Sequence, residues 1–336
     1  MRRGICVAGN LLVDITYPVE GWPQQGELVH IQDGISRSIG GAVYNVGVDL
    51  KKLDADMPVY AMGRIGDDAE GDLIERSLKA EGVDCENVIR EGVSAFCNVM
   101  ADVKNKQRTF FTYMGANARF TEADIDWSKV KADIFHIGYI LLLDALDQED
   151  AEYGSRMARL LHAAQSAGLK TSIDVVSEAS DRFKRLVPPA LRYADYCVIN
   201  EYEAEQTTGV PLRDGDGALI YENLPEALRA MKAMGVSTWA VIHCPEGGFG
   251  LDEEDEYVRL GSLILPGEQV VGSLGAGDAF CAGVLLGAEK GWTLDQAIDL
   301  GIAAAAASLR DSSATAGVCP SEEAMRMFDQ YDRRQP

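Results

Sequence analysis

The chain reads as an α/β protein with a mainly parallel central sheet. Three observations carry that reading. Short β-branched or apolar runs alternate with helix-patterned stretches, two compact segments interrupt the alternation, and a glycine-rich junction joins an apolar stretch to an apolar helix near the C-terminal third.

The strand-like runs fall at 5–8, 58–62, 134–137, 170–175, 196–199 and 239–243. They are apolar along their length instead of alternating, as strands covered on both faces are. Between and beyond them, 69–81, 149–167, 182–193, 225–234 and 294–309 carry helical periodicity. Residues 12–38 and 93–118 lack it and contain shorter strand-like pieces at 27–32, 96–103 and 108–113. The polar pair Asn105-Lys106 between the last two pieces suits a hairpin turn. The acidic tip at 252–256 beside Gly250 reads as a solvated turn. In open parallel sheets ligands bind at the carboxyl ends of the strands, and the search for a site starts there.

Composition bounds the function. With 336 residues, 47% apolar content and no apolar run of membrane-spanning length, the chain reads as a cytoplasmic globular protein with no membrane partner. The opening Met1-Arg2-Arg3 and the apolar run after it are interrupted by Asn10 and Asp14, which favours a first buried strand over a signal peptide. Seven cysteines form no C-x-x-C pair and read as reduced core thiols. Four scattered histidines show no zinc spacing, and His136 and His243, each ending an apolar run, read as interior residues. A net charge of −22 excludes a nucleic-acid partner, because phosphate-backbone binding needs clustered Lys and Arg.

The junction is Gly272-Ser273-Leu274-Gly275-Ala276-Gly277-Asp278-Ala279-Phe280. Gly275, Ala276 and Gly277 carry almost no side chain, so an anion can approach backbone N–H groups that have no partner at a helix start. Asp278 adds a carboxylate beside that anion hole. A base next to an anion hole is what phosphoryl transfer to a hydroxyl requires.

Upstream stand Gly40-Gly41-Ala42-Val43-Tyr44-Asn45, then Met62-Gly63-Arg64-Ile65-Gly66-Asp67-Asp68 with Gly71, and Asn200-Glu201-Tyr202-Glu203. With the junction, these blocks resemble, in order and spacing from about residue 5 to about 320, the PfkB family of carbohydrate and nucleoside kinases. The resemblance implies one ribokinase-like three-layer α/β/α kinase domain over 1–336, with a small β-sheet lid inserted from about 12–38 and 93–118. It implies Asp278 as catalytic base and the 275–277 backbone as anion hole. Asp14, Gly40, Gly41 and Asn45 would bind the sugar, and Arg108 in the lid could meet an acidic group on it. Asn200 and Glu203 match an N-x-x-E element that organises Mg²⁺ and the phosphates of ATP, Glu203 largely through water. Gly248 and Ser312 would belong to the nucleotide side, and the lid would make a homodimer contact. Gly115-Ala116-Asn117-Ala118 is a further ribokinase-type element.

Departures matter equally. Gly272-Ser273 stands where relatives carry Asp-Thr, which puts activation by a monovalent cation such as K⁺ in question. Leu12, Ala42 and the Gly138-Tyr139-Ile140 stretch replace three polar ribose contacts, which argues against ribose. The expected activity is ATP-dependent phosphorylation of a primary hydroxyl on a small sugar or sugar acid. The alternatives are a nucleoside kinase, with Leu12 and Tyr139 lining a base pocket, and a non-catalytic sugar sensor.

Overall fold

A computed structural model describes residues 2–105, 107–178 and 180–336. Lys106 of the anticipated hairpin turn lies outside them. Among the described residues no helix is long and apolar enough to cross a membrane.

Nine strands form the central sheet. Its parallel part comprises β1 (Ile5–Ala8), β4 (Val59–Ile65), β5 (Asp84–Arg90), β8 (Ile134–Ile140), β11 (Lys170–Val175), β12 (Tyr196–Asn200) and β13 (Trp239–Cys244). The antiparallel strands β14 (Gly247–Leu251) and β15 (Tyr257–Gly261) extend one edge, giving the order β15-β14-β13-β12-β11-β8-β1-β4-β5. A second sheet, ordered β3-β2-β6-β7, is built from β2 (Leu12–Val19), β3 (Ser36–Gly40), β6 (Ala95–Asp102) and β7 (Arg108–Tyr113). Residues 27–32 form no strand there; Ile31 makes only an isolated bridge to Val19.

The period-two alternation of strand side chains divides the interior into two cores. Ile5 and Val7 point into one with Val59, Val198 and Val241, while Cys6 and Ala8 join Phe135, Cys197 and Ile242 in the other. The first core is covered by α1 (Ala42–Leu53), α2 (Ala69–Ala80), α7 (Ala276–Glu289) and α8 (Leu294–Ser308). The second is covered by α3 (Arg156–Ser166), α4 (Phe183–Leu191), α5 (Glu201–Thr208) and α6 (Leu224–Met234). The fold is therefore a three-layer α/β/α arrangement. A short α9 (Ser321–Met325) follows α8.

The helix expected over 149–167 begins only at Arg156. Asp150 Oδ1 accepts from the N–H groups of Glu152 and Tyr153, and Gly154 adopts φ 88°, so residues 149–155 turn back as a two-residue ladder, β9 (Glu149–Asp150) and β10 (Gly154–Ser155). Ser155 then caps α3 through the Ala158 N–H at 3.1 Å. All seven cysteines are free, five of them buried. His136 is fully buried against Ser172 Oγ at 3.0 Å, yet its Nε2 has no partner, so it is only half satisfied.

Candidate active site

Asp278 lies in the first turn of α7. Gly275 caps that helix in the left-handed region at φ 77°, and a Cβ there would come within 2.2 Å of the Ala314 carbonyl oxygen. Only glycine fits both constraints. The first helical bond runs from the Ala279 N–H to Gly275 O at 2.8 Å, and Ala276 N–H makes only a long 3.4 Å contact to Ser273 O. The N–H groups of Gly277 and Asp278 have no intrahelical acceptor, as at any helix start. Of the 275–277 stretch expected as an anion hole, Gly277 keeps an N–H without an intrahelical acceptor, as does Asp278 beside it.

The Asp278 carboxylate is buried, 7% exposed. It accepts from Asn45 Nδ2 at 2.9 Å and from the Tyr139 hydroxyl at 3.0 and 2.9 Å, one contact to each oxygen. Burial raises its pKa to about 6, and the hydrogen bonds from Tyr139 and Asn45, which favour the charged form, oppose that rise. No salt bridge to it occurs among the described residues.

Asn45 reaches Asp278 because Gly40 and Gly41 end β3 and start α1 in one tight step. Gly41 takes φ 95° with a Cβ position 2.4 Å from Asn10 O, and a Cβ on Gly40 would meet Asp14 Oδ2 at 2.6 Å. The missing side chains thus let the Asp14 carboxylate lie against the loop that carries Asn45. Asp14, half-buried on β2, is raised to about 6 by burial. Asn45 Oδ1 is buried with no donor.

Asn200 ends β12 and caps α5. Its side chain accepts from the Glu203 N–H at 2.9 Å, and Glu203 Oε2 accepts from the Asn200 N–H at 2.9 Å, a reciprocal capping box. Ser177 Oγ donates to Glu203 Oε1 at 2.7 Å. Glu203 is 4% exposed, so it is no solvated helix acid; burial raises it to about 7. Asp174, near the end of β11, is likewise buried, and desolvation followed by the charges of Glu203 and Asp278 raises it well above the usual carboxylate range.

A cavity of about 490 Å³ adjoins these groups. Asn200, Tyr202, His243, Cys244, Ala276, Gly277, Phe280 and Leu309 line it, and its wall is mostly apolar. That size and lining suit a nucleoside moiety. A second hollow of about 550 Å³, lined by Glu75, Lys79, Val83 and Cys85 at the β5 edge, is polar and shallow and holds none of the groups above.

Three anticipated residues are not gathered here. Gly248 pairs with His243 inside the sheet, its Cβ position pressed to 2.6 Å from Ile298 and 2.9 Å from Phe280, so it packs behind the cavity wall. Ser312 is exposed beside Gly272 and does not line the cavity. Arg108 is exposed on β7; through the register Asp14–Cys97–Thr112 it sits two strands and four residues from Asp14, about 10 Å across and about 13 Å along the sheet. Two residues stand close to the chemistry in parts the sequence reading did not give them: Asp174, which it left unassigned, and Tyr139, which it placed only in the substrate pocket. Asp174 could have been found as the acid near the carboxyl end of a parallel strand. Nothing in the sequence aims Tyr139 at Asp278.

A family model described as pfkB family carbohydrate kinase matches residues 2–321. The chain belongs to that family. The kinase is 24% identical over 314 residues to a ribokinase of Arabidopsis thaliana, covering 91% of this chain and 75% of that one. It is 25% identical over 283 residues to an ATP-dependent ribose-1-phosphate kinase of Halopiger xanaduensis, covering 83% and 82%. Among solved structures it resembles Arabidopsis thaliana ribokinase complexed with ribose and ATP, at TM-score 0.80 and 22% identity over 97% of this chain and 99% of that one. A Methanocaldococcus jannaschii nucleoside kinase matches at TM-score 0.74 and 16% identity over 98% and 99%. The fold is ribokinase-like and the protein is a sugar kinase.

Proposed function

We propose that the kinase transfers the γ-phosphoryl group of ATP to a primary hydroxyl of a small sugar or sugar acid, with Asp278 as the base. The observation that carries this reading is a buried carboxylate in the first turn of α7, beside free backbone donors and a nucleoside-sized cavity. The hydroxyl proton passes to Asp278 as the new O–Pγ bond forms. The Pγ–O–Pβ bond breaks, ADP leaves, and the N–H groups of Gly277 and Asp278 face the charge that develops.

Asp14 and the Gly40-Gly41 loop would hold the sugar, and Asn45 Oδ1, buried without a donor, can accept from one of its hydroxyls. Asp174 and Glu203 are buried acids, with the Glu203 charge raising the proton affinity of Asp174, a donor set suited to a hard divalent ion. Their oxygens do not converge with a third acid within 4.8 Å, so Asp174, Glu203 and Asn200 would hold Mg²⁺ partly through its waters. When bound, Mg²⁺ supplies charge neutralisation on the phosphates. Trp22, in the β2–β3 connection, stacks on the exposed Phe111 of β7, and the exposed Tyr113 lies on the same face of that strand, which supports use of the second sheet as a homodimer contact.

A coupled ADP-release screen with Mg-ATP against pentoses, hexoses, sugar acids and nucleosides tests the reading, run beside Asp278→Asn. Turnover of a sugar that collapses in the variant is expected. Turnover confined to nucleosides would replace the substrate class, and ligand-induced stabilisation without turnover of any compound would sink the kinase reading in favour of a sensor.

A further inference from the structure

Tyr139 and Leu141 are two of the three non-glycine residues with positive φ among the described residues, at 58° and 82°. Both sit at the carboxyl end of β8. A tyrosine takes that backbone conformation only where its surroundings impose it, and such strain clusters at functional sites. The surroundings here do impose it. Asp147 accepts from the Leu141 N–H at 3.0 Å and the Leu143 N–H at 2.6 Å, Arg182 Nη2 donates to Leu141 O at 2.7 Å, and the buried Asn10 donates to Leu142 O at 2.8 Å. Three side chains from three parts of the chain thus clamp residues 141–143, and the strained turn they hold presents the Tyr139 hydroxyl to both oxygens of Asp278.

The electrostatic setting says what the phenol does. Asn45 on α1 bonds Asp278, and Asp49 on α1, Asp174 on β11 and Cys281 on its own helix all feel its charge, with His243 of β13 beside Gly277. Lys52, the cation that acts on Asp49, donates to Thr315 O. His243 is lowered to about 4 by burial and stays neutral. Burial favours a proton on Asp278, and the two hydrogen-bond donors, Asn45 and Tyr139, oppose it. Burial and then the Asp278 charge push the Tyr139 phenol well above its usual value, so it remains a donor throughout the working pH range.

We propose that Tyr139 is a positioning residue for phosphoryl transfer, its phenol fixing the Asp278 carboxylate and keeping it ready to take the substrate proton at neutral pH. This rests on the kinase reading with Asp278 as base, and the test separates the two. The acidic limb of the pH–kcat profile is measured for the wild type, Tyr139→Phe and a protein carrying 3-fluorotyrosine at position 139, with the best sugar from the screen. Tyr139→Phe moves the limb upward by about one pH unit, costing about fivefold in kcat near pH 6 and little near pH 9. Fluorotyrosine keeps the shape, strengthens the donor and moves the limb downward, which keeps the test usable if the Phe variant does not fold. A uniform loss of kcat at every pH, or a limb that stays in place in both proteins, overturns the proposal. Full activity of Asp278→Asn would instead overturn the underlying reading and leave the pH limb without its assigned group.

Discussion

Asp278 concentrates the residue-scale chemistry. A carboxylate that takes the substrate proton contributes a factor of about 10² to 10⁴, so Asp278→Asn lowers kcat by that amount while sugar and nucleotide still raise the melting temperature. Its raised pKa has a second consequence. A carboxyl whose folded pKa of about 6 exceeds its unfolded value favours the folded state below about pH 4, and that contribution is lost as pH rises to about 6. Asp14 and Asp147 are raised to about 6 as well. The ligand-free wild type therefore loses melting temperature across this window relative to Asp278→Asn, whose amide does not titrate; parallel curves for the two would show that Asp278 carries no such shift. Asp14→Ala raises KM for the sugar with a smaller effect on KM for ATP, read from initial rates.

At the scale of elements, two helix starts carry the site. Gly275→Ala forces a side chain into φ 77° and against Ala314 O, a strain of about 1–3 kcal/mol that moves the N–H groups of the anion hole. Kinetics and thermal melting on the same sample should show kcat falling more than stability explains. The Asn200–Glu203 pair is both a helix cap and a candidate metal holder. Asn200→Ala therefore costs about 1 kcal/mol of stability through the lost cap and also raises the Mg²⁺ concentration needed for half-maximal rate. A lowered melting temperature with unchanged Mg²⁺ dependence would reduce the pair to capping alone.

Across the whole molecule, the site gathers groups from β2, α1, β8, β11, α5 and α7, some of them more than 200 residues apart, as in the 233-residue separation of Asn45 and Asp278. The second sheet contributes Asp14 to this gathering and leaves Phe111, with Trp22 stacked on it, exposed. Phe111→Asp removes the stacking on Trp22 and places a charge there, so a concentration-dependent dimer becomes a monomer in light scattering; a wild type that is already monomeric across micromolar concentrations would dispose of the contact.

What could be read from the chain by itself follows local rules. Apolar runs such as 170–175 and 196–199 mark strands buried on both faces, and Gly275, Gly277 and Asp278 mark a helix start with an open backbone, because composition and spacing encode them directly, although the apolar stretch before that helix forms a short 3-10 turn and an irregular segment instead of a strand. The sequence erred where a local turn competed with helical periodicity, at Asp150 and Gly154, and where an apolar stretch such as 27–32 found no strand partner. Gly248 and Ser312, assigned to the nucleotide by their place in motifs, lie outside the cavity wall because side-chain packing, with Phe280 and Ile298 against Gly248, decides who faces a cavity. The acid neighbours of Asp278 and the phenol across its two oxygens were decided by tertiary structure alone. Hydrogen bonds and charge act through space, and only the folded sheet puts the Tyr139 phenol on Asp278 and brings Asp174 within reach of the Asp278 charge.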